Sequence, residues 1–199
     1  MRRLGVSAGT SVVVYDAATS VAASRLWWLL TDAGHQRVRV LDGGFAAWQR
    51  AEQPIETGPE NPRRPGGFAV AAGRRRRWTA AEVAALTSNG PSLVDVRAAD
   101  RYAGENETID PLAGHIPGAL SRPTTENLTA TGEFRSAAEI AERFADLTAE
   151  PVLYCGSGIT AAHTLLALES AGLTGAIYPG SWSDWIADPA RPRSTGPRP

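Results

Sequence analysis

The sequence predicts an α/β protein with parallel sheet, on three observations. Short β-branched or apolar runs alternate with Ala/Leu-rich stretches at helical spacing. Gly and Pro turns separate them. One strand, helix, strand arrangement occurs twice, and that succession implies parallel pairing.

Taken in order, "SVVVYD" (11–16) reads as a buried strand, "VAASRLWWLLTDAG" (21–34) as a helix stopped by Gly34, and "RVRVLDGG" (37–44) as a second strand. Residues 52–73, "EQPIETGPENPRRPGGFAVAAG", are dense in Pro and Gly without periodicity, which marks a linker. Thr79 and Glu82 have the spacing of a capping box that opens "TAAEVAALTSNG". "SLVDVR" (92–97) is the next strand, followed by a long loop and the turn "GHIPGA". A helix is expected over 136–147. "PVLYCGSGIT" (151–160) then runs from a strand into a glycine loop, and "AAHTLLALESAG" after it reads as a helix.

Laying "VVYDAATSVAASRLWWLLTDAG" over "VLYCGSGITAAHTLLALESAG" matches Tyr15 with Tyr154 and Ala33-Gly34 with Ala171-Gly172, with one residue of slippage. Downstream, "DGGFAAW" ending at Trp48 falls over "PGSWSDW" ending at Trp185. Asp16 stands where the second copy has Cys155, so the first copy is no thiol site. The first copy also lacks the upstream strand, loop and turn of the second, roughly 60 residues or about half a small α/β domain. The expected organisation is a partial, non-catalytic copy over 1–58, a linker over 59–75, a complete catalytic domain over 76–190 and a tail over 191–199.

Composition narrows the function. With 43% hydrophobic and 21% charged residues and a formal net charge of -1, no global field draws the chain to nucleic acid or a membrane surface. No run is long and apolar enough to span a bilayer and no leader is visible, which predicts a cytoplasmic protein. The four arginines of "GRRRRW" (73–78) read as a solvated run in the linker. Metal chemistry finds no ligand spacing among His35, His115, His163 and Cys155.

Cys155 is the only cysteine, which excludes an intramolecular disulfide and a C-x-x-C pair. A buried cysteine is commonly inert filler. Its position argues otherwise, because open α/β sheets bind ligands where a strand's C-terminal end meets the next helix. Gly156 and Gly158 let backbone N–H groups converge on an anion, with the helix dipole behind them. Ser157 and Thr160 add hydroxyls, although Thr160 also suits a helix cap. A cysteine phosphatase would place an arginine at the sixth position after the thiol; here that position is Ala161.

These residues resemble the rhodanese superfamily of sulfurtransferases, in its tandem-domain thiosulfate and 3-mercaptopyruvate group. "RLWWLL…AGH…VRVLDGGFAAW" is similar to the back half of an inactive N-terminal domain. "LVDVRAADRYAGENETIDPLAGHIPGA", "YCGSGITAAHTLLALESAG" and "YPGSWSDW" are similar to a complete catalytic domain. The resemblance implies a three-layer αβα fold with a central parallel sheet, one complete domain plus a partial copy. It makes Cys155 the nucleophile that takes a sulfane sulfur from the donor and hands it to cyanide or a thiol, either small or on a thioredoxin-like protein.

By the same resemblance the substrate-binding residues are Arg101, Gly156, Ser157, Gly158, Ile159 and Thr160, and no metal or organic cofactor is implied. "CGSG" looks like the mercaptopyruvate type, with Arg101 as the carboxylate clamp. Two departures leave the donor open: the loop "GENETIDPLAG" has no second arginine, and the histidine and aspartate partners of Ser157 would belong to the missing half-domain. Arg97 is expected to pair with Glu107 or Asp110, and His115 to serve the turn. Trp27, Trp28, Trp48, Trp182 and Trp185 are expected in packing, Trp182 also approaching the site's mouth. A second reading is a non-catalytic remnant that binds sulfane sulfur or a protein and self-associates through an unpaired "RLWWLL" face.

Overall fold

In the computed structural model, which describes residues 1–17, 19–59, 63–71, 73–86, 89–148 and 150–199, the β-branched runs become strands of two parallel sheets. The first holds β1 (Val12–Val14) and β2 (Val38–Val40), joined by α1 (Val21–Asp32) and followed by α2 (Gly44–Arg50). The second follows α3 (Ala80–Ala84). It comprises β3 (Leu93–Asp95), β4 (Leu120–Ser121), β5 (Val152–Tyr154) and β6 (Ala176–Ile177) in the order β4-β3-β5-β6. Between and after these strands lie α4 (Ala99–Ala103), α5 (Ala137–Arg143), α6 (Ile159–Ser170) and α7 (Ser181–Trp185). All pairings are parallel, and Arg77 bridges Ile177 to add a minimal fifth strand at the β6 edge.

Alternation along the strands makes three layers, because successive side chains point to opposite faces. Val94, Leu153 and Ile177 pack with Ile140 of α5 and Leu165 and Leu168 of α6. Leu93, Val152, Tyr154 and Tyr178 face α3, α4 and α7 through Val83, Tyr102, Trp182 and Trp185. Both faces of β3 and β5 are therefore buried. The expected α/β architecture is present, with capping boxes at Thr79–Glu82 and Ser136–Glu139. The second of these opens a helix that stops at Arg143 rather than 147.

Several expectations are corrected. "SVVVYD" is not a buried strand: Val14 is buried, but Val13 and Tyr15 are 61% and 60% exposed. Its sheet has two strands, and only the Val14 side packs on helices. The "RLWWLL" face is not left unpaired, because Trp27, Trp28 and Leu30 are buried against α6 in one cluster with Leu165 and Leu168. α6 is thus covered by its own sheet on one side and by α1 of the first unit on the other.

The second half of the Gly/Pro-rich stretch is bound to the first unit, although it lacks periodicity. Gly66 N–H donates to Arg2 O at 2.8 Å, Phe68 N–H to Val6 O at 3.0 Å and Ala71 N–H to Ala33 O at 2.9 Å. Nor is the arginine run merely solvated. Arg75 pairs with Glu169 and stacks 4.4 Å from the Trp27 ring centroid, while Arg77 pairs with Asp32. The carboxylates and indoles of α1 and α6 lie along its path.

Candidate active site

β5 is central and buried, so its next residue, Cys155, emerges at the sheet's C-terminal edge only 2% exposed. Gly158 turns the chain into α6 with φ 78° as its N-cap, and its N–H points at Cys155 Sγ, 3.0 Å away. A side chain there would be strained and would place its Cβ 2.6 Å from Pro179 O. The loop before α7 backs the cysteine. Cys155 N–H donates to Ser181 Oγ at 3.1 Å, Ser181 Oγ lies 4.0 Å from Sγ, and Trp182 N–H donates to Cys155 O at 2.9 Å. Ser181 itself has φ 56° and donates its hydroxyl to Tyr178 O.

Gly156, Ser157, Gly158, Ile159 and Thr160 form the loop and first turn beyond the thiol. Ser157 and Ile159 are exposed, Gly156 and Thr160 partly so. Neither the Ser157 nor the Thr160 hydroxyl bonds to Sγ, and Thr160 is the second residue of α6 rather than its cap. The donor at sulfur is instead Gly158 N–H, with the Ser181 hydroxyl, its proton on Tyr178 O, lying 4.0 Å away. Ser181 was missed in sequence because it comes from a different loop; its only signal was the repeated "PGSW" against "DGGF".

Arg101 does reach the loop. A Cβ on Gly156 would lie 3.7 Å from Arg101 Nη2 and 3.8 Å from Nη1. Nη2 is held by Glu107 at 2.9 Å and Asp110 at 3.0 Å, while Nη1 has no hydrogen-bond partner among the described residues. Burial works to raise the Glu107 pKa, but hydrogen bonds from Arg101 and from the Asp110 and Ile109 amides outweigh it and hold the carboxyl below its usual range. Ser183 Oγ lies 2.8 Å from both Asp110 Oδ1 and Gly156 O, its one proton serving either, and Ser183 N–H donates to Gly156 O at 3.0 Å, so the acidic loop is latched to the cysteine loop. Arg97 pairs with Asp95 at 2.6 Å and with Glu107 at 3.3 Å, not with Asp110.

His115 lies in its turn, stacked 3.8 Å from Tyr102 and bonded through Nδ1 to Tyr102 O. Trp182 is wholly buried with Nε1 on Leu112 O, so its ring belongs to the core and not to the site's mouth. In the first copy, the residue matching Cys155 plays the anion. The Asp16 carboxylate accepts from the amides of Ser20, Ala22 and Ala23 at 2.9, 2.9 and 3.2 Å, at the N-terminus of α1. Each unit thus turns the amides at its helix N-terminus toward this position, three onto the carboxylate in the first and one onto the thiol in the second.

His163 joins the copies. Its Nε2 donates to Thr19 O at 3.0 Å and its Nδ1 accepts from Thr124 Oγ1 at 2.8 Å, with Thr164 Oγ1 donating to Thr124. Among the described residues, no group of three or more His, Cys, Asp or Glu side chains could hold a metal ion. No helix among them is long and apolar enough to cross a membrane.

Most of the chain, including the strand-to-helix loop that carries Cys155, has counterparts among known proteins. The family description "Rhodanese-like domain" matches residues 2–51 and 79–188. A Pseudomonas aeruginosa protein named "Probable 3-mercaptopyruvate sulfurtransferase" is 43% identical over 96% of this chain and 70% of its own length. A Bos taurus protein named "Thiosulfate sulfurtransferase" is 37% identical over 92% of this chain and 65% of its own length. The crystal structure of YnjE superposes with a TM-score of 0.89 at 25% identity, covering 98% of this chain and about half (51%) of that one. Since both copies are matched and the fold agrees throughout, the chain belongs to the rhodanese-like family.

Proposed function

We propose that the chain is a sulfurtransferase working through a persulfide on Cys155. The observation that carries this reading is the buried sulfur held at the α6 N-terminus, 3.0 Å from an amide N–H that stabilises negative charge on it. The Cys155 thiolate attacks the donor's sulfane sulfur and forms the Cys155 S–S bond. With 3-mercaptopyruvate the C–S bond breaks and its electron pair, after protonation at carbon, leaves pyruvate. With thiosulfate the S–S bond breaks and sulfite leaves. An acceptor thiolate or cyanide then attacks the outer sulfur and restores the Cys155 thiolate. The names of the relatives support both donors.

Arg101 presents Nη1 to the donor's carboxylate while Glu107 and Asp110 fix its other arm. Gly156, Ser157, Gly158, Ile159 and Thr160 shape the entrance. The proposed division is a partial non-catalytic copy over 1–58, a linker over 59–75, the catalytic domain over 76–190 and a tail over 191–199. The setting is the cytoplasm, and the acceptor is a small thiol, a thioredoxin-like protein or cyanide. The exposed Val13 and Tyr15 favour self-association of the first unit.

Intact mass after incubation with each donor tests the chemistry. Gain of one sulfur atom on the wild type and none on Cys155→Ala is the expected result. No gain with either donor would leave the chain a sulfur-binding or protein-interaction remnant.

A further inference from the structure

The second unit alone brings little surplus positive charge to its cysteine. On that side stand two guanidiniums, Arg97 and Arg101, and three carboxylates, Asp95, Glu107 and Asp110, all tied together in ion pairs. A donor such as 3-mercaptopyruvate or thiosulfate arrives as an anion, and the thiolate it meets is negative too. Beyond Arg101 Nη1, a further cation would help to bring them together.

One comes from the first unit. Arg25, on α1, extends over the Trp28 ring with its guanidinium carbon 4.8 Å from the centroid, and Nη1 donates to Gly158 O at 3.3 Å. Gly158 is the same residue whose N–H contacts Cys155 Sγ. The guanidinium and the sulfur are thus attached to opposite ends of one N-cap residue. Arg25 is half-buried, and no carboxylate lies within ion-pairing distance among the described residues. The Gly158 carbonyl and the Trp28 ring hold the guanidinium there against the opposing dipole of α6, and an anion at the sulfur or on an arriving donor favours that placement further. Burial lowers the Arg25 pKa, and the negative Cys155 works in the other direction.

We infer that Arg25 is the donor-orienting cation of the Cys155 site, contributed by the non-catalytic copy and selecting anionic over neutral reagents at the sulfur. The inference rests on the sulfur-transfer reading for the identity of the anion, and on geometry alone for the local field. It also assigns a task to the first unit. α1 packs on α6, the His163 bond to Thr19 O fixes the end of the first copy's loop just before α1, and Trp28 aims the arginine.

The test uses alkylation of Cys155, the only thiol, by iodoacetate and by iodoacetamide, which differ in charge and little in size. On the wild type the ratio of the two rates should fall between about 20 mM and about 500 mM salt, as screening weakens the field. In Arg25→Gln the iodoacetate rate should drop about tenfold, on the scale of one half-screened unit charge, with the iodoacetamide rate changed less than about twofold. Arg25→Lys should restore most of the ratio. With 3-mercaptopyruvate, KM should rise in Arg25→Gln and recover in Arg25→Lys. Equal loss of both alkylation rates would make Arg25 a packing residue and overturn the inference. A salt-independent wild-type ratio would do the same without relying on any variant's folding. Failure of the wild type to gain sulfur would defeat the sulfur-transfer reading alone, since the alkylation ratio reports the field independently.

Discussion

One amide governs the environment of the reactive sulfur. Gly158 gives its N–H to Sγ while adopting φ 78°, and Pro179 O stands where its Cβ would lie. These requirements act on the same residue, so Gly158→Ala should cost about 1–3 kcal/mol through strain and close contact. It should also slow persulfide formation by turning the amide away from sulfur. Urea denaturation checks the first effect and donor single-turnover rates the second. An unchanged sulfur-transfer rate in a destabilised variant would show that the amide is structural only. The thiol and its glycines were legible in sequence because strand, cysteine, loop and helix are contiguous. Ser181 and Arg25 were not, because they reach Cys155 and its loop from positions 26 and 133 residues away in the pairs Ser181–Cys155 and Arg25–Gly158. Only packing reveals such partners.

At the scale of elements, α1 and α6 begin in the same way but answer the same electrostatic need with different groups. Asp16 supplies a carboxylate to the amides at the start of α1, whereas at the start of α6 an amide meets the Cys155 sulfur. Asp16→Ala should therefore destabilise the protein by about 1–2 kcal/mol, with Asp16→Asn recovering part of the loss, because the amide oxygen still accepts a hydrogen bond. Thermal denaturation of the three proteins checks this, and an unaffected Asp16→Ala would remove the cap. The Thr79–Glu82 capping box was legible from local pattern, whereas the one at Ser136–Glu139 was not read from it. What the pattern could not show was the partner of the α1 tryptophans, since an amphipathic helix fixes which face is buried and not what buries it. Nor could the pattern show the bonds that the Gly/Pro-rich linker segment makes to Arg2, Val6 and Ala33, because backbone bonds need no side-chain periodicity.

For the whole molecule, the joint between the two copies contains a proton-sensitive contact. His163 is wholly buried, stacks 4.6 Å from Phe134, and spans Thr124 in the second unit and Thr19 in the first. Burial lowers its pKa from the ordinary 6.5 to about 4, opposed in part by the Thr19 carbonyl. The neutral ring uses both nitrogens, one as donor and one as acceptor; a second proton on Nδ1 would confront Thr124 with two donors and place an unpaired charge in the core. Because the folded pKa is depressed, the unfolded chain binds the proton first as pH falls. The contribution is complete above about pH 6.5 and is lost progressively down to about pH 4. A difference of this size corresponds to about 3.4 kcal/mol in full, of which about 2.5 kcal/mol is lost between about pH 7.5 and about pH 4.5. Urea denaturation at about pH 7.5 and about pH 4.5 should show the wild type losing that much more stability than His163→Gln, whose own stability is lower at both pH values but less pH-dependent. If the two proteins lose stability in parallel, His163 does not titrate in the joint, and the acid sensitivity lies elsewhere. If they diverge as expected, acid loosens the contact that holds the first unit's loop against α6, and the alkylation ratio that reads Arg25 should weaken over the same pH interval.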